Sequence, residues 1–324
     1  MKILVTGGGG FIGSALIKKM PLGHHIISLD HGENYPYLKK IIKNKTFFKK
    51  GNIEDTRILD KLTKNIDCIV HLGGIAGERL CLANPRAALI SNVYATLKLL
   101  EYATKNKVKK FIFASTYWVY PTFKRMPMPL RERNCQENTD SFYGMLKLCS
   151  EDLIKKNFHA YIILRFSTVY GFGSGFGSQW RGIVGKYILS VFKGEPMKVY
   201  GDGSQKIDFV HIDNVVNVLI HFIKQEFLKN LILNLGSGVP VSILEVAQII
   251  KRLAREKFGI DSKIKRMKAP QGKAWPDKWL STDCLKKYIK PYPSISLEDG
   301  IYEMMQKLNE VKKYDNTIYK AILQ

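Results

Sequence analysis

A cluster of glycines follows the first apolar run of the chain, in the stretch Thr6-Gly7-Gly8-Gly9-Gly10-Phe11-Ile12-Gly13, and a helix-like run begins there. Gly7 allows a tight turn, Gly10 lets the backbone approach a pyrophosphate, and Gly13 lets the helix pack closely on the strand. The free N–H groups at the start of such a helix bind phosphates. The glycines therefore predict a strand–turn–helix unit that binds a dinucleotide, with FAD as the alternative to a nicotinamide cofactor.

An acidic residue supports this interpretation and narrows the cofactor. The run His25–Leu29 predicts a second strand, and Asp30 follows it about 20 residues after the glycines, where a carboxylate binds the adenosine ribose. A carboxylate repels the extra phosphate of NADP, so Asp30 favours NAD. His31, which could carry positive charge, weakens the preference slightly.

The first half of the chain alternates apolar, β-branched runs with amphipathic ones, which predicts a parallel sheet covered by helices on both faces. The predicted strands are Lys2–Thr6, His25–Leu29, Thr46–Lys50, Cys68–His71, Lys110–Ala114 and Ala160–Phe166. The predicted helices are Ile12–Lys19, Thr56–Leu62, Ala87–Lys105 and Tyr143–Lys156. We expect a doubly wound, Rossmann-type α/β domain over residues 1–167, with later strands from 206–238, and a smaller substrate-binding lobe formed mainly by 168–324.

Composition bounds the functional class. The 324 residues carry a formal net charge of +23, but the lysines are spread along the chain and form no nucleic-acid-binding signature. We therefore interpret the charge as a lysine-rich surface, not as a specific nucleic-acid or membrane site. Five scattered cysteines form no CxxC pair, which argues against disulfides and metal sites and favours a reducing cytoplasm. The sequence shows neither a signal-peptide pattern nor an apolar stretch long enough to span a bilayer.

The candidate catalytic groups are Tyr143 and Lys147, which lie four residues apart and therefore on one face of a predicted helix. A nearby ammonium stabilises a phenolate, so we expect Lys147 to lower the pKa of Tyr143, and oxidised nicotinamide would add a second positive charge. Tyr143 could then act as a base for an alcohol. The strand Lys110–Ala114 ends in Ser115-Thr116, where a hydroxyl could orient the reacting oxygen.

With these motifs in this order, the chain resembles the extended short-chain dehydrogenase/reductase family, the nucleotide-sugar epimerases and dehydratases typified by UDP-galactose 4-epimerase. The matching segments, beyond the glycine motif, are Gly51–Asp55, His71–Gly74, Asn92-Val93, Ser115–Tyr120, Tyr143–Lys147, Leu164–Gly171, Asp208–Asp213 and Asn234–Gly238.

The resemblance implies a role for individual residues. The catalytic set it implies is Thr116, Tyr143 and Lys147. Besides Tyr143 and Lys147, the implied cofactor-binding residues are Gly7, Gly10, Phe11, Ile12, Gly13, Asp30, Asn52, Ile53, Leu72, Gly73, Gly74 and Asn92. It also implies a homodimer formed through two helices of each subunit.

The sequence departs from the family pattern at the substrate. Dehydratases and decarboxylases of the family carry acidic residues after the catalytic Thr, but Tyr117 and Trp118 stand here, so both activities are disfavoured. The two arginines that usually hold the substrate diphosphate are missing, and Ile207 occupies one of their positions. The substrate-binding candidates are Thr116, Tyr117, Thr168, Arg181, Lys206 and Lys278, with Lys273 as a further cation.

These observations favour NAD-dependent epimerisation of a nucleotide-linked sugar through a transient keto intermediate. An NAD(P)H-dependent keto-sugar reductase would use the same residues and remains the main alternative. A non-catalytic nucleotide- or nucleic-acid-binding protein is disfavoured, because such a protein has no need of an activated phenol.

Overall fold

The computed structural model describes residues 1–32, 38–39, 42, 45–121, 126–135, 139–172, 182–226, 230–269, 276–292 and 294–314. The strands are β1 (Lys2–Thr6), β2 (His25–Asp30), β3 (Thr46–Lys50), β4 (Cys68–His71), β5 (Lys110–Thr116), β6 (Tyr161–Phe166), β7 (Thr168–Tyr170), β8 (Met197–Tyr200), β9 (Lys206–His211), β10 (Leu231–Leu235), β11 (Pro240–Ser242) and β12 (Ile264–Met267). The helices are α1 (Phe11–Lys19), α2 (Thr56–Leu62), α3 (Glu78–Ala83), α4 (Pro85–Leu89), α5 (Ala95–Lys105), α6 (Phe142–Asn157), α7 (Ile183–Phe192), α8 (Ile212–Lys224), α9 (Ile243–Phe258), α10 (Asp283–Lys286) and α11 (Leu297–Tyr314). A π-helical turn, Ile90–Tyr94, joins α4 to α5.

Seven strands form one parallel sheet in the order β3-β2-β1-β4-β5-β6-β10. The central strand β1 pairs with β2 on one side and with β4 on the other, and Val5 lies between Ser28 and Val70. The chain order reverses direction between β1 and β4, which is where open α/β sheets bind ligands beyond the carboxyl ends of their strands. This topology confirms the predicted doubly wound parallel sheet.

Helices cover both faces of this sheet because successive β1 side chains point to opposite sides. Ile3 and Val5 pack in the cluster that contains α1 and α8, whereas Leu4 packs in the cluster that contains α2, α5 and α6. All three side chains are essentially inaccessible to water. Strands buried on both faces account for the apolar runs of the sequence.

A second hydrophobic core organises the later part of the chain. It includes residues of α7, α9 and α11 together with the small sheets β11-β9-β7 and β12-β8. The chain returns to the main layer in between, because α8 packs with α1 and β10 extends the seven-stranded sheet beside β6. We retain the division of the chain near residue 167 as a proposal about domain organisation, with α8 and β10 assigned to the first domain.

None of the helices in the described residues is long and apolar enough to cross a membrane.

Candidate active site

The glycine turn brings β1 and the loop after β4 into direct contact. Gly7 has a φ of +71°, and a side chain there would place its Cβ 2.7 Å from the backbone nitrogen of Gly73. A Cβ at Gly13 would lie 2.2 Å from the carbonyl oxygen of Gly7. A side chain at Gly7 or Gly13 would clash with neighbouring backbone atoms, and the positive φ of Gly7 also favours glycine there. The turn leaves the start of α1 open toward a groove at the switch point of the sheet.

One half of this groove is a cavity of about 500 Å³ beside the ends of β1 and β2. Its lining includes Gly7, Gly10, Asp30, Ile53, Leu72 and Gly73. The carboxylate of Asp30 accepts a 3.0 Å hydrogen bond from the backbone N–H of Gly9, which fixes it beside the glycine turn. Asn52, a predicted cofactor-binding residue, is exposed and lies outside the described cavity lining, whereas its neighbour Ile53 forms part of the wall.

The second half is a cavity of about 550 Å³ that shares Gly7, Gly10, Leu72, Gly74 and Ile75 with the first. It continues to the carboxyl end of β5 and to α6. Its further lining includes Phe11, Ile12, Gly13, Thr116, Tyr143 and Lys147. The two cavities form one elongated cleft that has a glycine cradle at its centre, a carboxylate at one end and the phenol at the other. These features fit an extended dinucleotide.

The structure brings the three predicted catalytic side chains together. The hydroxyl of Thr116 hydrogen-bonds to the phenol of Tyr143. The ammonium of Lys147 lies 6.0 Å from the centre of the Tyr143 ring and donates a 2.9 Å hydrogen bond to the carbonyl of Ala114. Only 8% of Tyr143 and 5% of Lys147 is exposed, so both groups work largely shielded from bulk water.

The expected effect of Lys147 on Tyr143 is wrong for the protein alone. Burial raises the pKa of Tyr143, and the hydrogen bond from Thr116 opposes this effect only in part. Burial also lowers the pKa of Lys147 to about 8. In this low-dielectric pocket the loss of hydration disfavours the charged form of each group relative to water. With a pKa of about 8, Lys147 still carries its positive charge at neutral pH.

The helix that carries Tyr143 is held at its first turn by a residue that sequence reasoning missed. Ser141 caps α6 by accepting from the N–H of Gly144. The carboxylate of Glu78 accepts from the hydroxyl of Ser141 at 2.6 Å and from the backbone N–H groups of Phe142 and Tyr143 at 3.0 and 2.9 Å. A serine before a helix is a readable signal, but no local pattern connects it to a carboxylate 63 residues earlier.

A buried ionic network joins β6 and α6 and includes the end of β5, next to the catalytic residues. Arg165 on β6 forms a two-pronged pair with Glu151 on α6, at 3.0 and 2.6 Å. The hydroxyl of Ser115 donates to the same carboxylate at 2.5 Å. The hydroxyl of Ser115 is therefore bound to Glu151, and Thr116 is the hydroxyl that faces Tyr143.

Asn92, predicted to lie beside the cofactor, contacts the cleft wall: a Cβ at Gly74, which lines both cavities, would lie 2.5 Å from the Asn92 Oδ1. It is 2% exposed, and its amide donates to the carbonyl oxygens of Ile75 and Ala88 at 3.1 and 2.9 Å. It lies outside the described lining of both cavities and holds the loop after β4 against the π-helical turn. The role of Asn92 in cofactor binding stays a prediction.

The predicted substrate-binding residues lie near the catalytic cluster, elsewhere on the described surface, or outside the described residues. Tyr117 is half-buried and hydrogen-bonds to the hydroxyl of Thr168. Lys278 lies over Tyr117, whereas Lys206 is an exposed residue whose backbone N–H donates to Asp277. Arg181 and Lys273 lie outside the described residues. Among the described residues, no group of three or more His, Cys, Asp or Glu side chains could hold a metal ion.

Comparison with known proteins gives this cleft a context. Residues 3–236 match the model of the NAD dependent epimerase/dehydratase family. The UDP-glucuronate 4-epimerase of Thermodesulfobacterium geofontis is 31% identical over 92% of this chain and 93% of its own length. An uncharacterized UDP-glucose epimerase of Bacillus subtilis, YtcB, is 30% identical over 93% and 96% of the two chains. The crystal structure of UDP-glucuronic acid 4-epimerase from Bacillus cereus, with UDP-glucuronic acid and NAD, matches with a TM-score of 0.82 and 26% identity over 96% of this chain and 100% of that one. The family match spans every cleft residue described above.

Proposed function

Since the chain belongs to the NAD-dependent epimerase/dehydratase family, we propose that it inverts a hydroxyl of a nucleotide-linked sugar, at C4, through a transient keto-sugar. The observation that carries this proposal is the cluster of Thr116, Tyr143 and Lys147 at one end of a dinucleotide-shaped cleft. The relatives are named as UDP-sugar epimerases, which supports a nucleotide sugar as the substrate, and the family model together with the Bacillus cereus structure that contains NAD supports NAD as the cofactor.

The proposed chemistry divides between the chain and its cofactor. NAD, held by the glycine turn and the walls of the cleft, would supply a positively charged ring able to exchange hydride with the sugar carbon. Tyr143 takes the proton of the sugar hydroxyl and gives it back, while Thr116 holds the reacting oxygen through its hydroxyl. Lys147 adds positive charge beside the phenolate that forms. Because burial raises the pKa of Tyr143 in the protein alone, we propose that charge entering with the ligands completes its activation.

The residues around the phenol argue against elimination of water from the sugar. Such a reaction needs an acid and a base beside the catalytic Thr. Tyr117 and Trp118 occupy those positions, and burial raises the pKa of Tyr117 further above its ordinary value. Oxidation and re-reduction of a hydroxyl therefore fit these residues better than dehydration.

The test combines cofactor identification with one substitution. We expect the purified protein to retain NAD, identified by mass spectrometry, and to interconvert the epimers of a nucleotide sugar without net NAD(P)H consumption. Tyr143→Phe should lower turnover by about 10²–10⁴-fold, because it removes the proton-transfer group, and should leave NAD binding intact. Tyr288→Phe, at an exposed position, is the matched control. Stoichiometric NAD(P)H consumption would instead support the keto-sugar reductase.

We also propose that the enzyme is a homodimer, as the family resemblance implies. Leu82, Leu89, Tyr94 and Met145 are 43–56% exposed and lie on α3, α4, the π-helical turn and α6, which pack together. A second copy of this apolar surface would cover them. The combined variant Leu82→Lys and Leu89→Lys should shift sedimentation toward a monomer, whereas Leu22→Lys, at a 79% exposed residue elsewhere, should not.

A cytoplasmic location remains part of the proposal. It rests on the cysteines, since all five are free thiols.

A further inference from the structure

Lys278 is a buried cation without a partner. The residue is 8% exposed, and its ammonium makes no hydrogen bond within the described part of the chain. It lies 4.7 Å from the centre of the Trp118 ring and 5.5 Å from that of Tyr117, so two aromatic faces stabilise its charge. Buried ammonium groups normally have an anionic or carbonyl partner. Lys278 therefore has an unsatisfied requirement for a negatively charged group.

The backbone fixes where this ammonium lies. The N–H of Lys278 donates to the carbonyl of Lys206 at 2.8 Å, and its carbonyl accepts from the N–H of Asp208 at 3.2 Å. Burial lowers the pKa of Lys278 to about 8, while the charges of Asp140 and Glu78 act in the opposite direction. The carboxylates thus stabilise the ammonium from a distance, and no described residue occupies its hydrogen-bonding positions.

The aromatic residues that contact Lys278 adjoin the cavity that contains Tyr143 without lining it, and Trp118 packs against the hydrophobic cluster of Tyr143. Tyr117 and Trp118 directly follow Thr116, and the phenol of Tyr117 is close enough to that of Tyr143 to influence it electrostatically. The carbonyl of Trp118 lies against α6, since a Cβ at Gly144 would come within 2.1 Å of it. The ammonium of Lys278 therefore lies beside the space where the reacting sugar must meet Tyr143.

We propose that Lys278 binds a carboxylate on the sugar ring itself, so that the substrate is a nucleotide-linked hexuronate. This inference rests on the proposed function, in which Tyr143 deprotonates the C4 hydroxyl. In a pyranose, the substituent of C5 is adjacent to C4, whereas the diphosphate on C1 lies across the ring. An anion held near the reacting hydroxyl is therefore the C5 carboxylate, and the diphosphate is bound elsewhere.

Binding measurements test this without relying on turnover. The NAD-loaded protein is titrated calorimetrically with UDP-glucuronate and with UDP-glucose, which differ only in the C5 substituent. Wild-type protein should bind UDP-glucuronate about 10- to 100-fold more tightly, as expected for a charge-assisted hydrogen bond in a buried site. Lys278→Met should abolish this preference and leave the affinity for UDP-glucose essentially unchanged. Lys287→Met, the same change at an exposed residue nearby, is the control.

Two outcomes of the titrations would overturn the inference. If Lys278→Met lost the same affinity for both nucleotide sugars, Lys278 would bind the diphosphate. If wild-type protein bound both nucleotide sugars equally well, Lys278 would not bind a carboxylate. Lys278→Gln gives a second reading if the methionine variant folds poorly, and retained NAD reports the fold of each variant. A preference for UDP-glucuronate without epimer formation would refute the proposed epimerase activity while supporting the carboxylate site.

Discussion

At the scale of single residues, Lys278 shows how a binding group can reduce stability. Its pKa of about 8, against an ordinary 10.5, corresponds to about 3 kcal/mol of unfavourable free energy for the charged form. The exposed lysines carry no such cost because water hydrates them. A residue that costs stability and makes no hydrogen bond through its charged group to any described residue is better explained by a ligand than by the fold.

Replacing Lys278 should therefore stabilise the protein. The folded-state pKa lies below the unfolded one, so the penalty is full below about pH 8 and disappears as the pH rises toward 10.5. We expect Lys278→Met to raise the free energy of unfolding by about 1–3 kcal/mol at pH 7 and by less at pH 10. Urea unfolding at the two pH values measures this. A destabilised variant at pH 7 would contradict it, and Lys287→Met should show no change at either pH.

Asp30 gives a second prediction at this scale. Its carboxylate stands at the end of β2, against the adenosine half of the cleft, and a phosphate on the adenosine ribose would lie against this negative charge. We expect Asp30→Asn to reduce the preference for NAD over NADP by about tenfold, since the repulsion is removed. Fluorescence titrations with the two cofactors give the ratio. An unchanged ratio would place the ribose away from Asp30.

The residues that could be predicted from sequence are those whose signal is local. Thr116, Tyr143 and Lys147 have fixed spacing within one strand end and one helix turn. The direction of the Tyr143 pKa shift could not be predicted, because burial depends on residues far along the chain. Lys278 could be named as a cation, but its contact with Trp118 becomes visible only when the fold brings together segments 160 residues apart.

At the scale of elements, the first turn of α6 is anchored from outside the helix. Glu78 bonds to Ser141, Phe142 and Tyr143, so the carboxylate sets both the start of the helix and the position of the phenol. A carboxylate at a helix N-terminus is also favoured by the helix dipole. Glu78 is therefore a positioning residue that acts through Tyr143.

Glu78→Gln should separate positioning from general stability. An amide keeps one acceptor oxygen in place of two, so we expect a loss of about 1–2 kcal/mol in unfolding free energy. We expect kcat to fall by about 10- to 100-fold while NAD affinity stays unchanged, because the phenol is displaced. Glu245 caps another helix from within, because it forms a capping box with Ser242 at the start of α9 in the second core. Glu245→Gln should lose similar stability but keep kcat, and equal kcat losses would show that Glu78 is only a cap.

Most regular elements could be predicted closely. The boundaries of β1, β3, β4 and α2 match the predicted ones, because strong apolar runs end in turn residues there. The predicted helix Ala87–Lys105 is wrong as one element, since a π-helical turn at Ile90–Tyr94 interrupts it. The extra residue in that turn lets Asn92 reach the loop after β4. Helical periodicity carries no signal for such an insertion.

At the scale of the whole molecule, the parallel sheet was predictable and the interleaving of its later parts was not. Seven strands order themselves by crossover rules that the alternating sequence already implies. The return of α8 and β10 to the main layer depends on which of the available apolar faces each element packs against. Val216 and Phe222 on α8 are completely buried with α1, a choice that their periodicity alone does not specify.

The net charge of +23 has a kinetic consequence at this scale. A nucleotide sugar carries at least the two charges of its diphosphate, so a positive molecule attracts it over distances comparable to the Debye length of about 10 Å at 0.1 M salt. We expect kcat/KM to fall severalfold between about 0.05 and 0.5 M potassium chloride while kcat changes little, because salt screens the approach and leaves the buried chemistry intact. Steady-state kinetics across the salt series measures both constants, and an iso-osmolar sucrose series controls for solvent effects. A parallel fall in kcat would locate the salt effect in the catalytic step, where Lys147 and Lys278 are shielded by burial and should not feel it.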